Sequence, residues 1–261
     1  MRQIWVIFLL LGFIACQSAE DAEPGNAETF IKLIGGESQD AERKFLVVEG
    51  AEGKDNGIII LGTIENEQLN SFRIRLTRLD NKGNTIWERK YPEKDTTEFS
   101  YRAGSLVAID DGYFIVGDSI KNEIEAEDGE EEIESRAGLL ILKVDLDGNL
   151  IDNMTRTQTL EDAELRARDI TINQNGNLVV ISEIISDEKE AEVFITEYDI
   201  NNLDTLCGAG YTTEINSVAP SLLIAPDGDY VFGGTGNVQN QRIRILKIPP
   251  GCGPIPDDSP F

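Results

Sequence analysis

The stretch KVDLDGNLID (143–152) sets Asp145, Asp147 and Asn149 two residues apart around Gly148, with Asp152 three further on. Oxygen ligands at alternate positions are how a calcium loop begins, although such a cation takes about six to eight of them. The same residue types also make a hairpin turn, because Asn, Asp and Gly tolerate positive φ. DLDGN stands where DNKGN (80–84) and INNLD (200–204) stand in related stretches, and only DLDGN doubles the acid. The turn is the expected reading. A weak Ca2+ site on Asp145, Asp147, Asn149 and Asp152 is its rival, and no other cofactor is expected.

A second set of candidates is basic. YRAGS (101–105) and LRARD (165–169) align, so Arg102 and Arg166 are equivalent, each followed by an alanine. Tyr101, Arg102, Arg166 and Arg168 are the candidate ligand-binding residues. Arginine forks suit a carboxylate or a sugar acid, and the same arginines also suit Asp169 or other nearby acids. A third set is acidic: KNEIEAEDGEEEIES (121–135) packs eight carboxylates around Gly129. Charges this dense repel one another unless a cation or a basic partner neutralises them, so a solvated loop is expected.

The chain has 261 residues, no histidine and a formal net charge of −25. Without histidine there is no Ser-His-Asp or Cys-His catalysis and no imidazole metal site. Carboxylate chemistry remains open. Asp169 is the acid a glycan hydrolase or lyase would use, although the related stretches put Ser105 and Ser221 at its place. The charge repels phosphate, so nucleic acid is not an expected partner.

The elements that must position these residues come in repeats. DNGIIILGT (55–63), DDGYFIVGD (110–118), QNGNLVVIS (174–182) and PDGDYVFGG (226–234) each set a glycine before a strand-forming run. An apolar segment precedes each of them: FLVV, SLVAI, DITI and SLLIA. A strand–turn–strand hairpin follows the first three, as in FRIRLTRLDNKGNTIWERKY (72–91) and GLLILKVDLDGNLIDNMTRT (138–157). Four strands per repeat of about 50 residues is the pattern of β-propeller blades. The fourth repeat ends after its third strand, and TFIKLIGG (29–36) is expected to supply the missing one and close the ring. Within this pattern Ile181 stands where the other repeats have a glycine.

At the N-terminus, Arg2 precedes an apolar run from Ile4 to Ile14, too short for a membrane span but right for a signal peptide. FIAC (13–16) resembles the end of a bacterial lipoprotein signal. The resemblance implies that Cys16 is lipidated and becomes the first residue of the mature chain. Cys207 and Cys252 then form an even pair in an oxidising compartment, and a disulfide between them is expected. The polar, acidic QSAEDAE that follows is similar to surface-export signals of Bacteroidetes-type lipoproteins.

The repeat pattern itself, best carried by Ser105–Gly117, Ile141–Ile151 and Leu76–Trp87, is similar to propeller repeats common in extracytoplasmic lipoproteins of those bacteria. The resemblance implies an all-β fold, a four-bladed β-propeller. Its organisation would be a signal peptide (1–15), an acidic lipid-anchored tether (16–27), the propeller (28–253) and a tail (254–261). The resemblance says little of activity; with no catalytic constellation in the sequence, a non-enzymatic, monomeric binding or scaffold module for a protein or glycan partner is expected. Its contact with the outer membrane would be through the anchor alone, on the cell surface or, alternatively, facing the periplasm. A hydrolase or lyase and a structural subunit of an outer-membrane complex are the rival functions.

Overall fold

The computed structural model describes residues 41–48, 57–66, 71–93, 99–121, 137–156, 163–186, 192–212, 221–235 and 243–251. These form fifteen strands and no helix. Sheet 1 is β1 (Ala41–Val48), β2 (Gly57–Asn66), β3 (Ser71–Asp80) and β4 (Thr85–Tyr91). Sheet 2 is β5 (Phe99–Ile109), β6 (Gly112–Lys121), β7 (Ala137–Asp145) and β8 (Leu150–Arg156). Sheet 3 is β9 (Ala163–Ile172), β10 (Leu178–Ser186), β11 (Glu192–Tyr198) and β12 (Thr205–Thr212). Sheet 4 is β13 (Ser221–Ile224), β14 (Tyr230–Thr235) and β15 (Ile243–Ile248). Each sheet is an antiparallel meander in chain order, and the fourth has three strands among the described residues.

The middle strands explain their own composition. The runs YFIVG and LLILKV are apolar on both faces because sheet 2 is sandwiched between sheets 1 and 3. One cluster joins sheets 1 and 2 through Ile59, Leu76, Tyr113 and Leu142. A second joins sheets 2 and 3 through Phe114, Ile141, Leu178 and Tyr198, and a third joins sheets 3 and 4 through Ile181, Ile195, Leu222 and Phe232. A buried Leu or Ile contributes about 1.5–3 kcal/mol, so these seams hold the molecule together. First strands meet first strands: β1 lies against β5, β5 against β9, and β9 against β13. In sheets 1 to 3 the exposed large apolar residues lie on the fourth strands, with Ile86, Ile151 and Leu206 at the same β-bulge of β4, β8 and β12. A bulge that twists an edge strand makes it a poor template for further pairing.

Register corrects one expectation from the sequence. In sheet 2, β5 pairs with β6 across the two residues Asp110 and Asp111, with Ile109 opposite Gly112. In sheet 3 the turn holds three residues, and Asn173 N donates to Asn177 O across it. The extra residue shifts the alignment by one. Ser182, not Ile181, is equivalent to Gly62 and Gly117, and Glu183 is equivalent to Thr63 and Asp118. The repeat glycines are therefore of two kinds. Gly176 and Gly228 have φ of +81° and +91° and make turns. Gly112 lies in a strand, where a Cβ would sit 1.9 Å from Val144 O. A second difference is in INNLD, where Leu203 takes φ of 59° rather than an Asn or Gly. Its side chain is buried in the second cluster, and that burial offsets the strain.

The acidic stretch 122–136, the N-terminal residues 1–40 and the tail beyond 251 lie outside the described residues. So do the expected signal peptide, tether and Cys16, the strand at 29–36, and Cys252. No helix among the described residues is long and apolar enough to cross a membrane.

Candidate functional site

DLDGN forms a turn that uses its own acid. Asp145 Oδ1 accepts hydrogen bonds from Asp147 N (2.9 Å) and Asn149 N (2.8 Å), and its Oδ2 accepts one from Asn149 Nδ2 (2.9 Å). Gly148 N donates to Asp145 O, with Gly148 at φ of +75°. Asp80 makes the same three bonds to Lys82 N, Asn84 N and Asn84 Nδ2, each at 2.8 Å. Slight burial works against the charge on Asp145, but the Asn149 and Asp147 bonds outweigh it and hold its carboxyl below the usual range. Asp147 is exposed, and exposed Asp152 on β8 caps Asn153 N. No group of three or more His, Cys, Asp or Glu suited to a metal gathers among the described residues.

The seams between sheets carry a repeated polar latch. Thr63 Oγ1 on β2 accepts from Ala103 N on β5 (2.9 Å). One sheet along, Asp118 Oδ1 on β6 accepts from Ala167 N on β9 (2.8 Å). The alanines after Arg102 and Arg166 are thus the points where consecutive sheets are tied. Beside them the backbones nearly touch, because a Cβ on Gly104 would lie 2.6 Å from Ala167 O. Asp169 ties three sheets. Its Oδ1 accepts from Ser105 Oγ and Ile170 N, and its Oδ2 accepts from Leu222 N (3.0 Å). A second latch lies further out. Arg78 Nη1 donates to Tyr113 OH (3.0 Å), while the equivalent Tyr230 OH donates to Glu197 Oε1. Burial, and then the Glu197 bond, push the Tyr230 phenol up to about 12.

The inner latch is where the predicted arginines converge. Arg102 stands opposite Asp118 in register, and Arg166 stands opposite Glu183. Arg168, at the bulge of β9, reaches Glu183 Oε2 through Nε (2.8 Å) and Nη2 (2.7 Å). The Arg102 guanidinium lies 4.3 Å from the centroid of the Phe72 ring. Burial pushes the Asp118 carboxyl up to about 6, against the Ala167 bond and the pull of Arg168, Arg166 and Arg102. Arg102, Arg166 and Arg168 are all half-buried. Tyr101 does not join them; it packs against the first apolar cluster. Sequence reasoning missed Asp118, which stands opposite Arg102 across the ladder, and Glu183, which holds Arg168. The signal was present as the last residue of DDGYFIVGD, but the one-residue offset in sheet 3 hid its partner.

Cys207 on β12 is disulfide-bonded. The cysteine expected to be its partner, Cys252, lies outside the described residues.

No family model matches the chain, and no curated protein matches it. A solved structure from Bacteroides caccae, of a protein of unknown function, is similar at 14% identity and a TM-score of 0.38. The match covers 80% of this chain and 73% of that one. A likeness of that strength carries no argument about this chain.

Proposed function

We propose that this chain is a lipid-anchored binding module of the outer membrane, whose four sheets are the blades of a β-propeller and whose partner is a protein or a glycan. The run of first strands, β1 to β5 to β9 to β13, is the observation that supports the ring most directly. Sheet 4 supports it from the other side. Ile245 is 71% exposed, whereas the equivalent Leu76, Ile141 and Ile195 are at 0%, 0% and 1%. Closing sheet 4 on sheet 1, with residues 29–36 as a fourth strand beside β15, would cover Ile245 and the edge together. Such a disc presents its loops on a rigid frame, which suits recognition. Asp169, the acid a hydrolase would need, spends both oxygens on holding three sheets together.

The test of the anchor is the mass of the N-terminal peptide of the mature protein, with protease shaving of intact cells. A diacylated Cys16 peptide and loss of the domain on shaving are expected. A chain cleaved elsewhere, with Cys16 as a free thiol or removed, would overturn the reading. Turnover in a panel of plant and host glycans, abolished by Asp169→Asn in a folded variant, would replace binding with hydrolysis.

A further inference from the structure

We propose that the chain sits on its anchor with the hairpin-turn end of its sheets toward the bilayer, and that the opposite end, where β5 and β9 begin, is the surface it offers to a partner arriving from the aqueous side. The proposal rests on the anchored, ring-closed reading above and adds which end of the disc is free.

Strand polarity divides the molecule into two ends. In each meander the first strand runs out to a turn, the second returns, the third runs out again and the fourth returns. The turns 80–84, 145–149, 173–177, 199–204 and 225–229, each closed by its own backbone bonds, therefore lie at the same end of their sheets. Neighbouring sheets keep that polarity. A Cβ on Gly228 would touch Gln174 of the adjacent turn, and one on Gly148 would touch Trp87, just past the turn 80–84. Ile109 and Leu203, both at the turn end, belong to the cluster that joins sheets 2 and 3. β1, β5, β9 and β13 all start from the opposite end.

Polarity then fixes where the anchor leaves. The closing strand expected at 29–36 is joined to Ala41, the start of β1, through residues 37–40 alone. Five Cα steps cover at most about 18 Å, whereas eight strand residues extend about 26 Å. A strand that finished at the turn end could not hand over to β1. The closing strand must therefore run antiparallel to β15, as β4, β8 and β12 run to β3, β7 and β11. Residue 29 then stands at the turn end, and residues 17–28, which reach at most about 40 Å, tie that end to Cys16. The far end lies about 25 Å further from the anchor, more than half of that reach. The turn end offers a partner little. Asp80 and Asp145 each spend both carboxylate oxygens on their own turn. At the far end Phe99, Tyr101 and Arg102 of β5 are half-buried, so aromatic and basic side chains come within one short stretch.

The experiment is energy transfer from single dye labels to an acceptor carried on lipid headgroups. The full mature chain is inserted into preformed vesicles of phosphatidylethanolamine and phosphatidylglycerol. Lys82→Cys and Asn175→Cys place the dye at exposed positions of the turn end, and Glu93→Cys and Thr155→Cys place it at exposed positions of the far end. All four side chains are exposed, so each variant should melt as the wild type does, and two labels at each end guard against one misfolded variant. Transfer from the turn-end labels should exceed that from the far-end labels by about two-fold or more, given the separation of the ends. Equal transfer from both ends overturns the proposal. So does stronger transfer from Glu93→Cys and Thr155→Cys, which would mean that the tether enters β1 directly without closing the ring. A chain that does not stay on the vesicles condemns the anchor, and the orientation falls with it. Equal or inverted transfer from a chain that does stay on them condemns the orientation alone.

Discussion

Asp145 and Asp118 are both carboxylates on hairpin-linked strands, and they respond to pH in opposite directions. The Asp145 carboxyl lies below its ordinary range in the folded chain. It therefore adds stability that is present above the unfolded pKa and lost as pH falls through the folded one. The Asp118 carboxyl is raised from 3.8 to about 6 by burial. The folded state then binds the extra proton, so stability falls as pH rises from about 4 to about 6 and is flat above that. The shift corresponds to a loss on the order of 2–3 kcal/mol at neutral pH. Urea denaturation of the wild type and Asp118→Thr at pH 4.5 and 7.5 checks this: the wild type should lose ground to the variant at the higher pH. An equal difference at both values would mean that Asp118 is not the titrating group. At the turn, Asp145→Ala removes three hydrogen bonds and should cost about 1 kcal/mol. A calcium titration of the wild type should leave its melting temperature unchanged, because both Asp145 oxygens are already engaged. A saturable rise, absent with magnesium, would reinstate the cation site.

At the scale of elements, the same letter in the repeat does different work in different strands. Gly112→Ala should pry β6 from β7, since its Cβ would meet Val144 O at 1.9 Å, and it should cost several times what Gly176→Ala costs. At Gly176 nothing lies within 4 Å of a Cβ, and only the φ of +81° penalises alanine, by about 1 kcal/mol. Paired chemical denaturation curves decide it, and equal losses would mean that the two glycines serve one purpose after all. The strands were legible in the sequence because repetition exposes them: four apolar runs, each after a glycine, cannot all be accidental. The offset at Ser182 was not legible. A hairpin loop of two or three residues leaves the same letters on either side, and only the ladder of backbone bonds counts them. The arginines were legible as a pair for the same reason as the strands. Their acids were hidden because Thr63, Asp118 and Glu183 share a position but not a chemistry. Register also bears on Cys207. It occupies the place of Trp87, whose ring lies against Gly148 in the next sheet's turn. Ile248 is equivalent to Val144, and in the sequence Cys252 follows Ile248 by four residues as Gly148 follows Val144. Non-reducing peptide mapping should therefore find Cys207 joined to Cys252, and a Cys207–Cys16 peptide would break the equivalence between sheets.

The whole molecule turns on what becomes of the free face of sheet 4. Three seams are sealed by apolar clusters, and each is latched by a polar bond near its inner strands. Leu223 and Ile245 lie on the face that would make a fourth seam, and they are 66% and 71% exposed. The two arrangements give one substitution two different costs. On an open face, Ile245→Asp replaces an exposed side chain by a solvated one and should move stability by less than about 0.5 kcal/mol. In a closed ring the same carboxylate would be forced between two sheets without a partner, at a cost of about 3 kcal/mol or more. The ring reading therefore expects a large loss in Ile245→Asp, comparable to that of Ile141→Asp at the equivalent place in sheet 2. Ile86→Asp is the control, because Ile86 sits at an outer-strand bulge that closure leaves in solvent, and it should be nearly silent. If Ile245→Asp is as silent as Ile86→Asp, the four sheets form an open arc. The free face of sheet 4, with Leu223 and Ile245, would then be an exposed apolar surface for a partner to cover.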